Sequence, residues 1–443
     1  MKMKLAEIAK AINAQNDIEQ WKDVEVTSVS FDSRHLDQGS LFVPLQGAQD
    51  GHQYVPSAFT NGAVASLWAS DHEITDQTHP LLVVNDPLAA LQQLGKYYLH
   101  KINPIVVAVT GSNGKTTTKD MIASILSTQF NVTKTYANFN NEIGVPVTLL
   151  NMESNTEAVV VEMGMDRFDQ LDFLSKLVNP DIAVITMIGE AHIEFFGTRD
   201  KIADAKMEIT HGLKEDGMLV FNGDEPLLEE RVKDLTQRQM RFGRQLSNNL
   251  YATSVHDEPR QLSFTVNEWP DEEFTIPMVG EYNINNALAA MEVGKILHIT
   301  PAHMKQALAN VELTENRAEW VKGKNGEQIL SDVYNSNPTA AKEVLKTIAE
   351  TPVDGRRIAV LGDMLELGDA APKLHASLAE EIDHQKIASV YLVGEQMKNL
   401  KDKLIQEGYP AEDIHHYAAS DLQQLIADLT ATLTGEDIVL LKA

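Results

Sequence analysis

The run IVVAVTGSNGKTTTKDMIASILSTQF (105–130) decides the fold. It opens on a continuous apolar stretch, passes through a glycine-rich turn and continues with helical periodicity, the order strand, turn, helix that begins an α/β domain. The turn itself, Thr110, Gly111, Ser112, Asn113, Gly114, Lys115 and Thr116 followed by Thr117, reads as a phosphate loop. Glycines let the backbone curl so that its N–H groups face an anion, and the helix N-terminus adds a favourable dipole. Lys115 can reach β- and γ-phosphates, and Thr116 can ligate Mg²⁺. The common G-x-x-x-x-G-K-[ST] spacing is not met, because Val109 stands where its first glycine belongs. The alternative, an ordinary glycine turn before a helix, is outweighed by the strand, the lysine and three consecutive threonines taken together.

Working outward, further apolar runs fit buried parallel strands: EAVVVEMG (157–164), DIAVITMIG (181–189) and GMLVFNGDEP (217–226), with helix-length stretches between several of them. NALAAMEVGKILHI (286–299) reads as a helix near the end of this domain. Pro104 closes an N-terminal segment of short strands, helices and loops, whose first residues, MKMKLAEIAKAINAQNDIE, read as an amphipathic helix. Near Leu313 a new series begins, EQILSDVYN, RRIAVLGDM, SVYLVG and DIVLLK, in the order of a small doubly wound domain. The expectation is an α/β protein of three domains: a mixed α/β domain (1–103), a central P-loop ATPase-like parallel-sheet domain (104–312) and a C-terminal Rossmann-like domain (313–443).

Composition narrows the function. The 443 residues carry 64 acidic and 37 basic side chains, a formal net charge of −27, which disfavours general binding to nucleic acid or anionic membrane and favours small-molecule partners. Without cysteine there is no disulfide, thiolate zinc site, iron–sulfur cluster or cysteine nucleophile. No apolar run approaches the length of a membrane span, and the N-terminus lacks the pattern of a signal peptide, so a cytoplasmic location is expected. The chemistry of a nucleotide enzyme also needs an acid near the phosphates. Glu162 ends the run AVVV, at the carboxyl end of a strand where a Walker-B acid sits. His192, in IGEAHIEFFG, follows another strand and offers an imidazole, although a loop histidine is ordinarily solvated and Mg²⁺ prefers oxygen. Lys206, in KIADAKMEI, falls on a helix; such lysines ordinarily face solvent, and the residue pattern alone assigns it no chemistry.

Seven motifs across the chain resemble the Mur ligases, ATP-dependent amide-forming enzymes of peptidoglycan precursor synthesis: TGSNGKTTTK (110–119), NFNNEIGVP (138–146), VEMGM (161–165), GEAHIEFFG (189–197), GEYNINNALAA (280–290), DVYNSNP (332–338) and LGDMLELG (361–368). N-x-N-N-x-x-G-x-P together with G-D-M-x-E-L-G resembles the branch that joins D-alanyl-D-alanine to UDP-MurNAc-tripeptide. The resemblance implies a UDP-substrate domain, a central ATPase domain and a closing C-terminal domain, with ATP and Mg²⁺ as cofactors. It implies that ATP phosphorylates the terminal carboxylate of the tripeptide, and that the amine of D-alanyl-D-alanine displaces phosphate to give UDP-MurNAc-pentapeptide. A carboxylate is a poor acylating agent, and phosphate is the leaving group it lacks.

The resemblance also implies roles. Lys115 and the loop amides would stabilise charge on the transferred phosphoryl; Thr116 and Glu162 would hold Mg²⁺, and His192 a second Mg²⁺. Lys206 aligns with a lysine often carbamylated in the family, which turns a cation into an anionic oxygen ligand for that second metal. Asn286 resembles an adenine-contacting asparagine, with Tyr282 where the family usually has histidine. Arg317 and Asp332 resemble residues that reach phosphate and ribose, against the plainer reading of a surface ion pair; Asn316 stands where glycine is common. Asn138, Asn140 and Asn141 resemble residues that bind the UDP-MurNAc-peptide or orient the loop around the phosphates, though asparagine-rich loops are also ordinary turn formers. Ser33, Arg34, Asp50, Gly51 and His52 resemble elements near the UDP moiety. Tyr334, Asn335, Asn337 and Pro338 resemble a loop that receives D-alanyl-D-alanine, while Asp363, Glu366 and Gly368 mark the branch or serve packing. The family normally continues past the last strand with lysine, glycine and serine, whereas here Ala443 follows Lys442, so the C-terminal domain reads as short at its end. The competing expectations are a folylpolyglutamate synthase-like ligase and a non-catalytic nucleotide-binding protein. A monomer is expected.

Overall fold

The strand–turn–helix unit forms as Ile105–Thr110 and Lys115–Leu126. In the computed structural model, which describes residues 1–74, 78–258, 260–314 and 317–443, the chain divides into two compact units. One comprises Met1–Val109, Gln129–Ala183 and Glu208–Met218, and the other Thr110–Thr128, Val184–Met207 and Leu219–Ala443.

The first unit contains a four-stranded parallel sheet, Ser28–Ser30, Ser40–Phe42, Ala63–Ala69 and Leu81–Val84 in that order. All four residues of Leu81–Val84 are buried, as expected of a parallel strand covered on both faces. A helix, Pro87–Ile102, follows. Asp86 caps it by accepting from Leu88 N (2.8 Å) and Ala89 N (3.3 Å), and it stops at left-handed Asn103 before Pro104, which cannot continue it. Leu91, Leu94 and Leu99 on its buried face each contribute roughly 1.5–3 kcal/mol of burial. Beyond it, Ala158–Glu162 pairs in parallel with both Ile105–Val109 and Val132–Lys134, so Glu162 stands opposite Val109 at the carboxyl end of its strand. The N-terminal amphipathic stretch yields a helix of only seven residues, Leu5–Ala11, because Met3–Lys4 is drawn into antiparallel pairing with Glu25–Val26.

In the second unit, the helix Tyr282–Ile296 is buried on nearly all sides, which explains its run of small and apolar residues. The strands Leu250–Glu258, Gln261–Val266 and Trp269–Ile276 form an antiparallel meander within the span read as parallel. The C-terminal sheet runs Glu319–Lys322, Gln328–Asp332, Ile438–Lys442, Arg357–Gly362, Ser389–Val393 and Ile414–Tyr417. Only its first strand is antiparallel. Two separate buried clusters draw on it, one with Leu330, Ala359, Leu361 and Leu440 and the other with Ile358, Tyr391 and Val439. Alternate residues of each strand therefore feed opposite faces, the signature of the expected doubly wound sheet. The last strand in sequence lies between Gln328–Asp332 and Arg357–Gly362, so Asp332, Gly362 and Lys442 end three adjacent strands. Among the described residues no helix is long and apolar enough to cross a membrane.

Candidate active site

The phosphate loop belongs to the second unit, and its glycines are dictated by geometry. Gly114 has φ 79°, and a Cβ there would lie 2.3 Å from Asn286 Oδ1; at Gly111 a Cβ would lie 1.8 Å from Thr186 Oγ1. Backbone pins the loop to the strand that follows it: Thr186 N donates to Thr110 O (3.0 Å) and Ser112 N to Met187 O (2.9 Å). Lys115 Nζ curls onto the loop's own carbonyls, Gly111 O at 2.8 Å and Ser112 O at 3.4 Å, which places the cation inside the concavity where phosphate charge belongs. Thr116 and Thr117 are buried.

The residues read as nucleotide contacts are held by one another. Asn286 Oδ1 accepts from Thr118 Oγ1 (3.2 Å), and its amide donates to Asn283 Oδ1 (2.9 Å). Arg317 donates to Thr116 Oγ1 (3.2 Å), and its guanidinium lies 3.9 Å from the centre of the Tyr334 ring, a cation–π contact. Asp332 pairs with Lys442 (2.9 Å), so Arg317 and Asp332 do not form the surface ion pair of the plainer reading. Lys442 is buried, which lowers its pKa while Asp332 opposes the shift. Asn113 and Asn337 exchange amide hydrogen bonds at 3.1 and 2.6 Å, and Asn337 also caps the helix Pro338–Glu350. Asn335 Oδ1 accepts from Ser336 N (2.9 Å). Asn316 lies outside the described residues.

His192 and Lys206 are brought to this loop. His192 Nδ1 meets Glu366 Oε2. Burial lowers the pKa of the imidazole and Glu366 opposes it, while the charges of Lys115 and Lys206 lower it further. Lys206 corrects the expectation of a solvent-facing lysine: it is 2% exposed on the helix Arg199–Met207. Burial, with Lys115 adding repulsion, drives its pKa well below the ordinary lysine value. Among the described residues no carboxylate pairs with it. A helix of mostly polar residues gave no periodic signal that this lysine faced inward.

In the first unit, Glu162 is 2% exposed and its Oε1 accepts from Asn140 Nδ2 (2.8 Å). Asn141 Oδ1 accepts from Gly144 N (2.9 Å) and Ile143 N (3.2 Å) at the start of the helix Gly144–Leu150, and Asn138 O accepts from Asn140 N (2.7 Å). Gly144 is required because a Cβ would lie 2.4 Å from the Phe139 backbone. Ser33 O accepts from Asn61 Nδ2 (2.7 Å), and Arg34 makes a bidentate pair with Asp32, both contacts at 2.9 Å. His52 Nε2 accepts from Ala69 N (3.0 Å), so Nδ1 carries the proton given to Asp50 Oδ1 (2.7 Å). A Cβ on Gly51 would lie 2.5 Å from Leu45 O. Asp50, His52 and His72 have ligand atoms close enough to share a metal, but that tautomer leaves His52 Nδ1 no lone pair to offer.

Known proteins resemble the chain along its whole length. Family models match three successive segments: "Mur ligase family, catalytic domain" over 25–99, "Mur ligase middle domain" over 109–294 and "Mur ligase, glutamate ligase domain" over 316–443. The UDP-N-acetylmuramoyl-tripeptide--D-alanyl-D-alanine ligase of Bacillus subtilis is 37% identical over 444 aligned residues, covering 100% of this chain and 96% of that protein. The chain belongs to the Mur ligase family. Its fold is that of a Mur ligase throughout: MurF from Acinetobacter baumannii superposes with a TM-score of 0.87 at 26% identity, covering 100% of this chain and 95% of the other. The ADP complex of MurF from Thermotoga maritima gives 0.80 at 28% identity, covering 94% of each chain. Within the Mur ligases the chain is of the MurF type.

Proposed function

We propose that this Mur ligase joins D-alanyl-D-alanine to UDP-MurNAc-tripeptide at the expense of ATP, forming UDP-MurNAc-pentapeptide for peptidoglycan synthesis. The observation that carries the reading is the phosphate loop: two glycine positions that admit no side chain, Lys115 within the curl, and His192 and Lys206 grouped beside it. The full-length likeness to the Bacillus subtilis ligase favours this reaction over glutamate addition to a folate. Segments 1–103, 104–312 and 313–443 serve as UDP-substrate, ATP and closing domains. The enzyme acts as a cytoplasmic monomer.

In the reaction a carboxylate oxygen of the tripeptide attacks the γ-phosphorus and ADP departs. The amine of D-alanyl-D-alanine, having lost its proton to solvent, attacks the acyl carbon, and inorganic phosphate leaves. Lys115 and the loop amides hold the phosphoryl and offset its charge in transfer. Arg317 and Asp332 turn toward phosphate and ribose, and Asn286 toward adenine. Thr110, Gly111, Ser112, Asn113, Gly114, Thr116 and Thr117 line the phosphates. Ser33, Arg34, Asp50, Gly51 and His52 take the UDP end, Asn138, Asn140 and Asn141 the muramoyl peptide, and Tyr334, Asn335 and Asn337 the dipeptide acceptor.

Each oxygen donor read as a Mg²⁺ ligand has, taken by itself, the chemistry that Mg²⁺ takes. Thr116 hydroxyl and Glu162 carboxylate are hard oxygen ligands, and Asn140 already orients the latter. Lys206 fits through modification: burial shifts the amine toward its neutral form, which is the form that adds CO₂, and the carbamate would supply an oxygen ligand beside His192. Bound Mg²⁺ would neutralise triphosphate charge and polarise the γ-phosphoryl.

The test is phosphate release from Mg-ATP with UDP-MurNAc-tripeptide, with and without D-alanyl-D-alanine, followed by mass spectrometry of the product. Release that requires both substrates and yields the pentapeptide supports the reading. Measurable ATP binding without such release rejects it. Lys115→Ala abolishes ADP formation while UDP-substrate affinity changes less than about threefold, and normal turnover by that variant would remove the phosphate loop from the chemistry.

A further inference from the structure

The motif LGDMLELG (361–368) is accounted for by packing at all but one of its polar positions. Asp363 accepts from Met397 N (2.9 Å) and Gln396 N (3.2 Å) at the start of the helix Met397–Gln406. Met364 and Leu367 are buried in the core, and Met364 N donates to His375 Nε2 (2.9 Å). Glu366 has no such task. Its side chain is 44% exposed, where water alone would satisfy a carboxylate, yet it is turned onto Nδ1 of His192, 174 positions away in sequence.

The backbone makes that approach. His192 has φ 65° and Glu366 φ 58°, so both ends of the contact sit in the left-handed region that side chains other than glycine seldom adopt. Glu194 N donates to Glu366 O (3.0 Å), tying the two loops at the main chain. Gly368, at φ 52°, lets the second loop pass Glu194 so closely that an added Cβ would lie 3.2 Å from its side chain. Two strained residues, one main-chain bond and one glycine thus serve a single side-chain contact.

We propose that Glu366 is a positioning residue: its carboxylate accepts the Nδ1–H of His192 and thereby fixes the imidazole tautomer that leaves Nε2 free to bind a metal ion. A neutral imidazole carries one N–H and one lone pair, and a carboxylate acceptor at Nδ1 decides which nitrogen has which. Metal-binding histidines are commonly oriented by such an acceptor on their other nitrogen. The inference rests on the reading of His192 as a metal ligand, and it gives the branch-marking motif a chemical task.

The test separates the two readings because its first measurement involves neither metal nor turnover. In the full-length protein labelled with ¹⁵N-histidine and free of metal and nucleotide, the His192 signal is assigned by its loss in His192→Gln. Wild type shows the Nδ1–H pattern. Glu366→Gln, which keeps an acceptor oxygen, retains most of it, and Glu366→Ala shifts the population to Nε2–H. In turnover, Glu366→Ala raises the Mg²⁺ concentration for half-maximal rate by about 10–100-fold while KM for ATP at saturating Mg²⁺ moves much less. An Nε2–H tautomer in wild type, or one unchanged in Glu366→Ala, overturns the proposal whatever the activity. A tautomer shift without any ligase activity would leave Glu366 in its place and reject the proposed function instead.

Discussion

Lys206 and Glu292 are two buried ionisable groups driven toward neutrality by the same cause, removal of charge from water. For Lys206 neutrality is useful, since only the free amine adds CO₂. If the carbamate forms, Lys206→Ala loses most of its turnover, and millimolar formate or acetate restores part of it by supplying the missing oxygens; absence of rescue would leave the carbamate unsupported. Glu292 lies fully buried in the middle of the helix Tyr282–Ile296, with Lys295 3.7 Å away and itself bridged to Glu268. Burial raises its pKa from 4.5 to about 7. Between those values the folded protein keeps a proton that the unfolded chain has lost, so stability falls as pH rises through the window and levels off above it. The loss attributable to this group is roughly 3 kcal/mol. Glu292→Gln lacks the titration. Urea unfolding at pH 4.5 and pH 8 checks it: the stability of wild type relative to the variant drops by about that amount at the higher pH, and parallel profiles would show that Glu292 does not titrate in this range.

At the scale of elements, the ends of three adjacent strands collect Asp332, Gly362 and Lys442, and the loop after Asp332 is fastened there. Lys442 Nζ donates to the Asp332 carboxylate (2.9 Å) and to the carbonyls of Asp332 and Asn335. Lys442→Met removes a buried ammonium from a half-buried carboxylate and two carbonyls that water can partly satisfy, a loss on the order of 1–2 kcal/mol. It therefore lowers the melting temperature by a few degrees and, if the loop after Asp332 receives the dipeptide as proposed, raises KM for D-alanyl-D-alanine more than KM for ATP; equal shifts in both would remove Lys442 from that role. The elements themselves were legible: the apolar runs at 157–164, 181–189 and 217–226 became Ala158–Glu162, Ile182–Ile185 and Met218–Asn222, since largely buried strands are written as continuous hydrophobic runs. The antiparallel meander Leu250–Ile276 was not read, because its first strand is largely half-exposed and its residues mix polar and apolar without a clean alternation. The inward turn of Lys206 and the Glu366–His192 contact were equally hidden. Both depend on tertiary placement, the first on which face of a polar helix is covered and the second on two left-handed residues far apart in sequence.

Taken as a whole, the molecule carries a formal charge of −27, while both ATP and the UDP-linked substrate are polyanions. On the proposed reading the cations that face phosphate are local: Lys115 in its loop and Arg317 on Thr116, with Lys206 buried and shifted toward neutrality. At about 0.01 M ionic strength the Debye length is roughly 30 Å, so an approaching nucleotide feels the net charge of the protein, whereas at 0.15 M it is about 8 Å and only the local cations count. Long-range repulsion is thus screened before the short-range attraction is. The association rate of UDP-MurNAc-tripeptide, followed by stopped-flow at fixed pH, rises severalfold between these salt concentrations, while the dissociation rate changes little. This is the reverse of the salt dependence of a nucleic-acid-binding protein, whose affinity is built on counterion release. A rate that falls with salt would mean that a basic field around the binding site, rather than the acidic surface, governs encounter.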